Sequence, residues 1–295
     1  MPVYDLPHLT NQDFFYEYAR PGMLGLIGGT GPGRLMSTGV RWLASDALML
    51  NHPASYWSHV FIVLDRKQTR TGWDISIIES TIVSRFHRTL EGKRLNKAHW
   101  NGPQISTLIR KADCGRATGG DGRKRVRQYI DDEFTPNVAL IDLRFNEKAL
   151  ATLRKKAMAL LANKSTYYKR EILGVLCAAL DDKLAMPNPL DKSGLNCTAF
   201  VRACLDPLVP AFRAIPANQR NTFPEHFYQA ALPEFDIYQT IRETAPAGLT
   251  GFGSKAILSV MRKVWRYKST PQRAFGSTPG WRHAMNAISK QKSAR

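Results

Sequence analysis

Two hydrophobic periods alternate along this chain. Met23 to Ile27, His59 to Leu64, Trp73 to Ser80 and Val138 to Leu143 are short runs rich in β-branched and aromatic residues, and they predict strands. The polar stretch Asp65 to Gly72 between the second and third predicts the turn of a hairpin. Elsewhere the apolar positions recur at helical spacing. Residues 11–20 predict a short helix stopped by Pro21-Gly22, and Leu35 to Leu50 a longer one that ends near Asn51-His52-Pro53. Asn146 to Leu161 predicts an amphipathic helix with Leu150, Leu153, Ala157, Leu160 and Leu161 on one face. Glu171 to Leu184 predicts a largely apolar, buried helix, and another apolar helix opens at Cys197, after the breaker-rich stretch Pro187 to Gly194. Asn221 to Phe227 reads as a turn with Pro224 at a first helical position. Arg110 to Asp132, rich in Gly, Arg and Asp with little apolar periodicity, predicts a surface loop. No internal repeat is present. The mixture predicts an α+β fold, an antiparallel sheet packed against helices, in one main domain over residues 1–245 followed by a basic C-terminal extension over 246–295.

Composition supports a globular chain: 43% of the 295 residues are hydrophobic, enough apolar surface to offset chain entropy. No run approaches the roughly 18 uninterrupted apolar residues of a membrane span. Asp5, His8 and Asp13 interrupt the N-terminus, which does not resemble a basic segment followed by an apolar signal core. The expectation is a soluble protein made in the cytoplasm, with any export by another route.

Charge changes the picture more. The net charge is +18, and it is uneven: Gly251 to Arg295 carries ten Lys or Arg and no Asp or Glu, while Arg110 to Arg127 carries seven basic residues against Asp113 and Asp121. Such fields attract polyanions, whether nucleic acid, anionic lipid headgroups or an acidic cell envelope. In the tail, Ile257, Val260, Met261, Val264 and Trp265 share one helical face while Arg262, Lys263 and Arg266 point elsewhere. That is a basic amphipathic helix, able to dock on its own domain or lie on an anionic membrane as a peripheral contact.

The four cysteines, Cys114, Cys177, Cys197 and Cys204, are too few and too widely spaced for a disulfide scaffold in a chain this long, so reduced thiols are expected. No Cys-x-x-Cys or His-Glu-x-x-His spacing signals zinc, and no cofactor is predicted. Gly28 to Gly33 has the glycine spacing of a phosphate loop, but Arg34-Leu35 stands where Lys-Ser/Thr would bind phosphate and magnesium. It is read as a loop at the mouth of a cleft.

Cys197 is the candidate nucleophile. Asn196 precedes it and an apolar helix follows, so the thiol faces the unsatisfied N–H groups and the positive end of the dipole, which favour thiolate. Its alternative is a buried structural cysteine, the reading preferred for Cys204 on the same helix and for Cys177. His59, in the strand run Ser58 to Leu64, is the candidate general base, with a hydrogen-bonded core histidine as the alternative. Glu79, ending the neighbouring strand, can accept the second imidazole N–H and fix the ring, or simply face solvent. His52, His87 and His99 lie near loop signals, and His226 is assigned to a surface helix.

In their order these residues resemble the circularly permuted papain-like cysteine hydrolases of the NlpC superfamily, including the YiiX-like group. The matching stretches are Ser58-His59-Val60-Phe61, Ile77-Ile78-Glu79-Ser80 and Asn196-Cys197-Thr198-Ala199-Phe200-Val201. Pro21 to Ile27 and Thr222 to Phe227 add to it, so the resemblance covers a core of about 21–234. Phe61 stands where relatives often have Gly, and Gly22-Met23 where they have Gly-Asp. Residues 196–201 also match the Asn-Cys-x-x-Phe-Val signature of the related lecithin:retinol acyltransferase group.

The resemblance implies catalysis through a thioester on Cys197, with His59 as acid/base, Glu79 orienting it, and the Cys197 N–H as an oxyanion donor. It implies an amidase or endopeptidase acting on bacterial peptidoglycan peptides, with a phospholipase or acyltransferase acting on anionic membrane phospholipid as the alternative. An envelope-directed hydrolase without a signal peptide would be a secreted antibacterial effector, a toxin whose partners are a secretion apparatus and an immunity protein, rather than nucleic acid. From another class, a basic nucleic-acid- or membrane-binding module without catalysis also fits the charge.

Overall fold

The computed structural model describes residues 1–29, 35–51, 54–70, 72–82, 101–109, 129–163, 184–187 and 194–243, with short pieces at 172, 174–175 and 178–179. Arg110 to Arg127, the tail over 246–295, the later part of the glycine loop, and His52, His87, His99, Cys114 and Cys177 lie outside the described residues.

The fold is mixed α+β. In chain order the elements are β1 (Val3–Asp5), α1 (Asn11–Tyr18), β2 (Leu24–Gly28), α2 (Leu35–Ala47), β3 (His59–Thr69), β4 (Gly72–Ile82), β5 (Asn101–Ile109), β6 (Asn137–Asp142), α3 (Glu147–Ala162), α4 (Cys197–Leu205), α5 (Pro210–Arg213), α6 (Pro224–Ala231) and β7 (Asp236–Ile241). Among the described residues the strands form one seven-stranded sheet in the order β1-β7-β6-β2-β3-β4-β5. Every pair is antiparallel except β1 with β7.

β2 is central, with Leu24 opposite Ile62 of β3 on one side and Ile141 of β6 on the other. Alternate residues of these strands face opposite sides of the sheet. Leu26, Val60, Ile62, Ala139 and Ile141 join Leu153 and Ala157 of α3, Phe200 and Val201 of α4 and Phe227 of α6 in one core. Ile27, Phe61, Val63, Ile77, Val138 and Leu140 join Phe14 and Phe15 of α1 in a second. Burial on both faces is why the runs read as near-continuous apolar stretches rather than a clean apolar/polar alternation. Gly22 turns the chain into β2 at φ +87, a conformation that glycine adopts without strain.

The hairpin differs from its sequence reading. β3 continues through Asp65 to Thr69, and β4 begins at Gly72, so the turn is far shorter than Asp65 to Gly72. Ladder pairing holds polar residues in a strand that their composition does not announce. Arg66 also lies over the Trp73 ring, 4.3 Å from its centroid, and donates to the carbonyls of Ala19 and Tyr16. Three strands carry no strong sequence signal: β1 has three residues, β5 starts with Asn101-Gly102-Pro103, and β7 alternates polar and apolar residues weakly. Among the described residues no helix is long and apolar enough to cross a membrane.

Candidate active site

Asn196 makes the local structure around Cys197. Its extended backbone and its Oδ1, which accepts from Ala199 N at 2.7 Å, cap α4 and leave Cys197 as the first helical residue. The cap is itself pinned. Asn196 Nδ2 donates to the Arg220 carbonyl at 3.2 Å, and the Thr198 hydroxyl sits 2.8 Å from Asn196 Oδ1 and 2.7 Å from the Thr222 carbonyl. From the sheet side, Ser80 Oγ donates to the Leu195 carbonyl, tying β4 to the residue that enters the cap. The Cys197 thiol is thus held at a helix start with 8% of the residue exposed.

His59 is the first residue of β3, opposite Ile27 of β2. The approach to it is braced by buried polar groups. Ser55 Oγ donates to Glu225 Oε2 of α6 at 2.5 Å and accepts from Trp57 N at 3.0 Å, while Arg41 Nε of α2 donates to the Ser55 carbonyl at 2.6 Å. Gly28 lies beneath this segment: a Cβ there would meet the Tyr56 carbonyl oxygen at 1.8 Å, so only glycine fits.

The imidazole bridges the other two predicted residues. Its Nε2 lies 2.6 Å from Glu79 Oε2, and Cys197 is near enough to act electrostatically on the ring, whose remaining nitrogen is Nδ1. Its side chain is 16% exposed and that of Glu79 is 2% exposed. Burial opposes a charged ring, but the facing charge and hydrogen bond of Cys197, followed by those of Glu79, outweigh it and raise the His59 pKa to about 9. The environment thus favours the protonated ring beside the thiol.

The structure brings together all three predicted residues, and it also supplies two that the sequence does not point to. Glu79 Oε2 accepts from the Tyr129 hydroxyl at 2.9 Å, and Oε1 accepts from Ser106 Oγ at 3.0 Å. Ser106 sits on β5, a strand hidden by its Gly-Pro start. Tyr129 closes the stretch Arg110 to Asp132, predicted as surface loop, yet it is 5% exposed and belongs to the α1-side core. An isolated Tyr-Ile pair at the end of a Gly- and Arg-rich stretch is the one signal that marks it. The site thus forms across the sheet: Cys197 belongs to one core, Tyr129 to the other, and His59 contacts both.

His226 is a correction. Predicted on a surface helix, it is 5% exposed, and its Nδ1 accepts from the Phe223 backbone N–H at 3.0 Å, closing the cap of α6. Burial pushes its pKa down to about 4, so it is neutral and structural. Cys204, predicted to pack, is fully buried, and burial pushes its thiol up to about 12. Among the described residues, no group of three or more His, Cys, Asp or Glu is arranged to hold a metal ion.

Glu79→Gln keeps the side-chain shape but removes the charge facing the imidazolium. It is expected to lower turnover about 10²-fold with an unchanged circular-dichroism spectrum. An unaltered kcat would remove Glu79 from the triad.

No family model matches the chain, and neither a curated protein nor a solved structure does.

Proposed function

We propose that this chain is a cysteine hydrolase of the permuted papain-like kind, acting through a thioester on Cys197 and directed at amide bonds of peptidoglycan peptides. One observation carries the reading: a single imidazole lies 2.6 Å from a buried carboxylate and feels the charge of a cysteine at a helix start. Nucleophile, base and orienting group are the parts that this chemistry needs.

In the first half-reaction the Cys197 sulfur attacks the substrate carbonyl carbon. A C–S bond forms, and the carbonyl oxygen takes the negative charge beside the Cys197 N–H at the start of α4. Among the described residues no acceptor takes that N–H. Collapse breaks the C–N bond as His59 Nδ1 delivers its proton to the departing amine. In the second half-reaction His59, now neutral, takes a proton from water as the water oxygen attacks the thioester. The C–S bond then breaks, giving the carboxylic acid product and restoring the imidazolium and thiolate. An amine leaves only when protonated, and an imidazolium held by Glu79 supplies that proton. The basic charge of the chain also suits an acidic envelope polymer.

The test is to incubate the full-length protein with purified peptidoglycan and, separately, with phospholipid vesicles, and to analyse both by mass spectrometry. Muropeptides that gain one water across a cleaved amide are expected. Release of fatty acid with intact muropeptides would overturn the amide assignment, and steeply salt-dependent polyanion binding with neither product would overturn catalysis.

A further inference from the structure

A carboxylate as buried as Glu79 is costly unless hydrogen bonds hold it in its charged form. Three donor side chains from separate parts of the chain converge on it: His59 Nε2 at 2.6 Å and the Tyr129 hydroxyl at 2.9 Å on Oε2, and Ser106 Oγ at 3.0 Å on Oε1. Tyr129 is firmly held. Its ring lies parallel to Phe61 at 6.1 Å and beside His59 at 5.9 Å, and its carbonyl accepts from Asn11 Nδ2 at 3.1 Å. The Asn11 amide also donates to the Thr135 carbonyl at 2.6 Å, so the first turn of α1 ties down Tyr129 itself and the chain six residues on. Packing alone needs the ring of Tyr129. The hydroxyl, placed on the same carboxylate oxygen that His59 uses, is a separate contribution.

We propose that Tyr129 and Ser106 are positioning residues for the hydrolase site, keeping Glu79 ionised and aimed so that His59 holds its Nδ1 toward Cys197. This rests on the cysteine-hydrolase reading. Hydrogen bonds to the charged form of an acid favour ionisation, and losing one raises its pKa. His59 from β3 and Tyr129 are titratable groups that bond Glu79 directly, with Cys197 of α4 acting on it through His59.

The test needs no substrate. In the full-length protein with ¹⁵N-labelled histidine, the His59 ring nitrogens report protonation of the carboxylate beside them, and the transition that disappears in Glu79→Gln is the one belonging to Glu79. In Tyr129→Phe, which retains the ring against Phe61 and His59, that transition is expected about one pH unit higher, the size of one charge-assisted hydrogen bond. Ser106→Ala removes a donor from the other oxygen and is expected to shift it in the same direction. It supplies the test by itself should Tyr129→Phe fail to fold. A Glu79 transition that coincides with wild type in the folded variants overturns the proposal, because a purely structural Tyr129 leaves it in place. Cys197→Ala separates this result from the reading it rests on. If the His59 titration at higher pH does not change in Cys197→Ala, the hydrolase reading falls, whatever Tyr129 and Ser106 do to Glu79.

Discussion

Cys197→Ala is expected to reduce turnover by about 10⁵-fold or more, the scale on which removing the nucleophile of a covalent catalyst acts. Among the described residues, the nearby thiol and hydroxyls are already buried or hydrogen-bonded. Cys204 lies two turns along the same helix, fully buried, with its thiol pushed up to about 12. The Ser80 hydroxyl is bound to the Leu195 carbonyl, and the Thr198 hydroxyl is held between Asn196 Oδ1 and the Thr222 carbonyl. The substitution leaves the Asn196 cap intact because Asn196 Oδ1 bonds the Ala199 N–H and not the sulfur. Loss of one small buried side-chain atom costs about 1 kcal/mol, so Tm is expected to fall by only a few degrees. The matching positive signal is an acyl adduct on Cys197, trapped in wild type by acid quench and read by mass spectrometry. Turnover retained in Cys197→Ala, or an adduct mapped to another residue, sinks the assignment.

The sequence reveals the parts of this site that local pattern encodes. Asn196-Cys197 followed by an apolar helix is a cap, and His59 and Glu79 stand on strands whose apolar runs are unmistakable because both faces of the sheet are covered. The contact between them is not local, since only the β3–β4 register and the docking of α4 on those strands bring Cys197 to the imidazole. What the sequence hides follows one physical pattern. Asp65 to Thr69, Ser106 and Tyr129 are polar or isolated residues whose structure comes from partners distant in the chain, through ladder pairing for the first, β5 for the second and the Asn11 anchor for the third. The sequence points His226 to a surface for the same reason. Its ring stacks in parallel on Phe223, and its Nδ1 satisfies a backbone donor, a use of histidine that no apolar spacing announces.

His59→Gln is expected to lower turnover by about 10⁴-fold, since it removes both the proton donor to the amine and the base for the water step. Its more diagnostic effect is on pH dependence. The folded-state pKa of about 9 lies above the ordinary histidine value of 6.5, raised by Cys197 and Glu79 against the opposing effect of burial. A group raised in this way contributes stability that is fully present below about pH 6.5 and is lost as pH climbs through about 9. Wild type is therefore expected to exceed His59→Gln in unfolding free energy by its largest margin near pH 6, with the margin narrowing steadily toward pH 10. Denaturant melts of the two proteins at about pH 6, 8 and 10 measure it directly. Turnover by wild type carries the same signature: a basic limb near pH 9, where the ring gives up the proton that the amine needs. A stability margin that stays level from pH 6 to pH 10 would show that His59 is a neutral core histidine, and the imidazolium–thiolate mechanism would go with it.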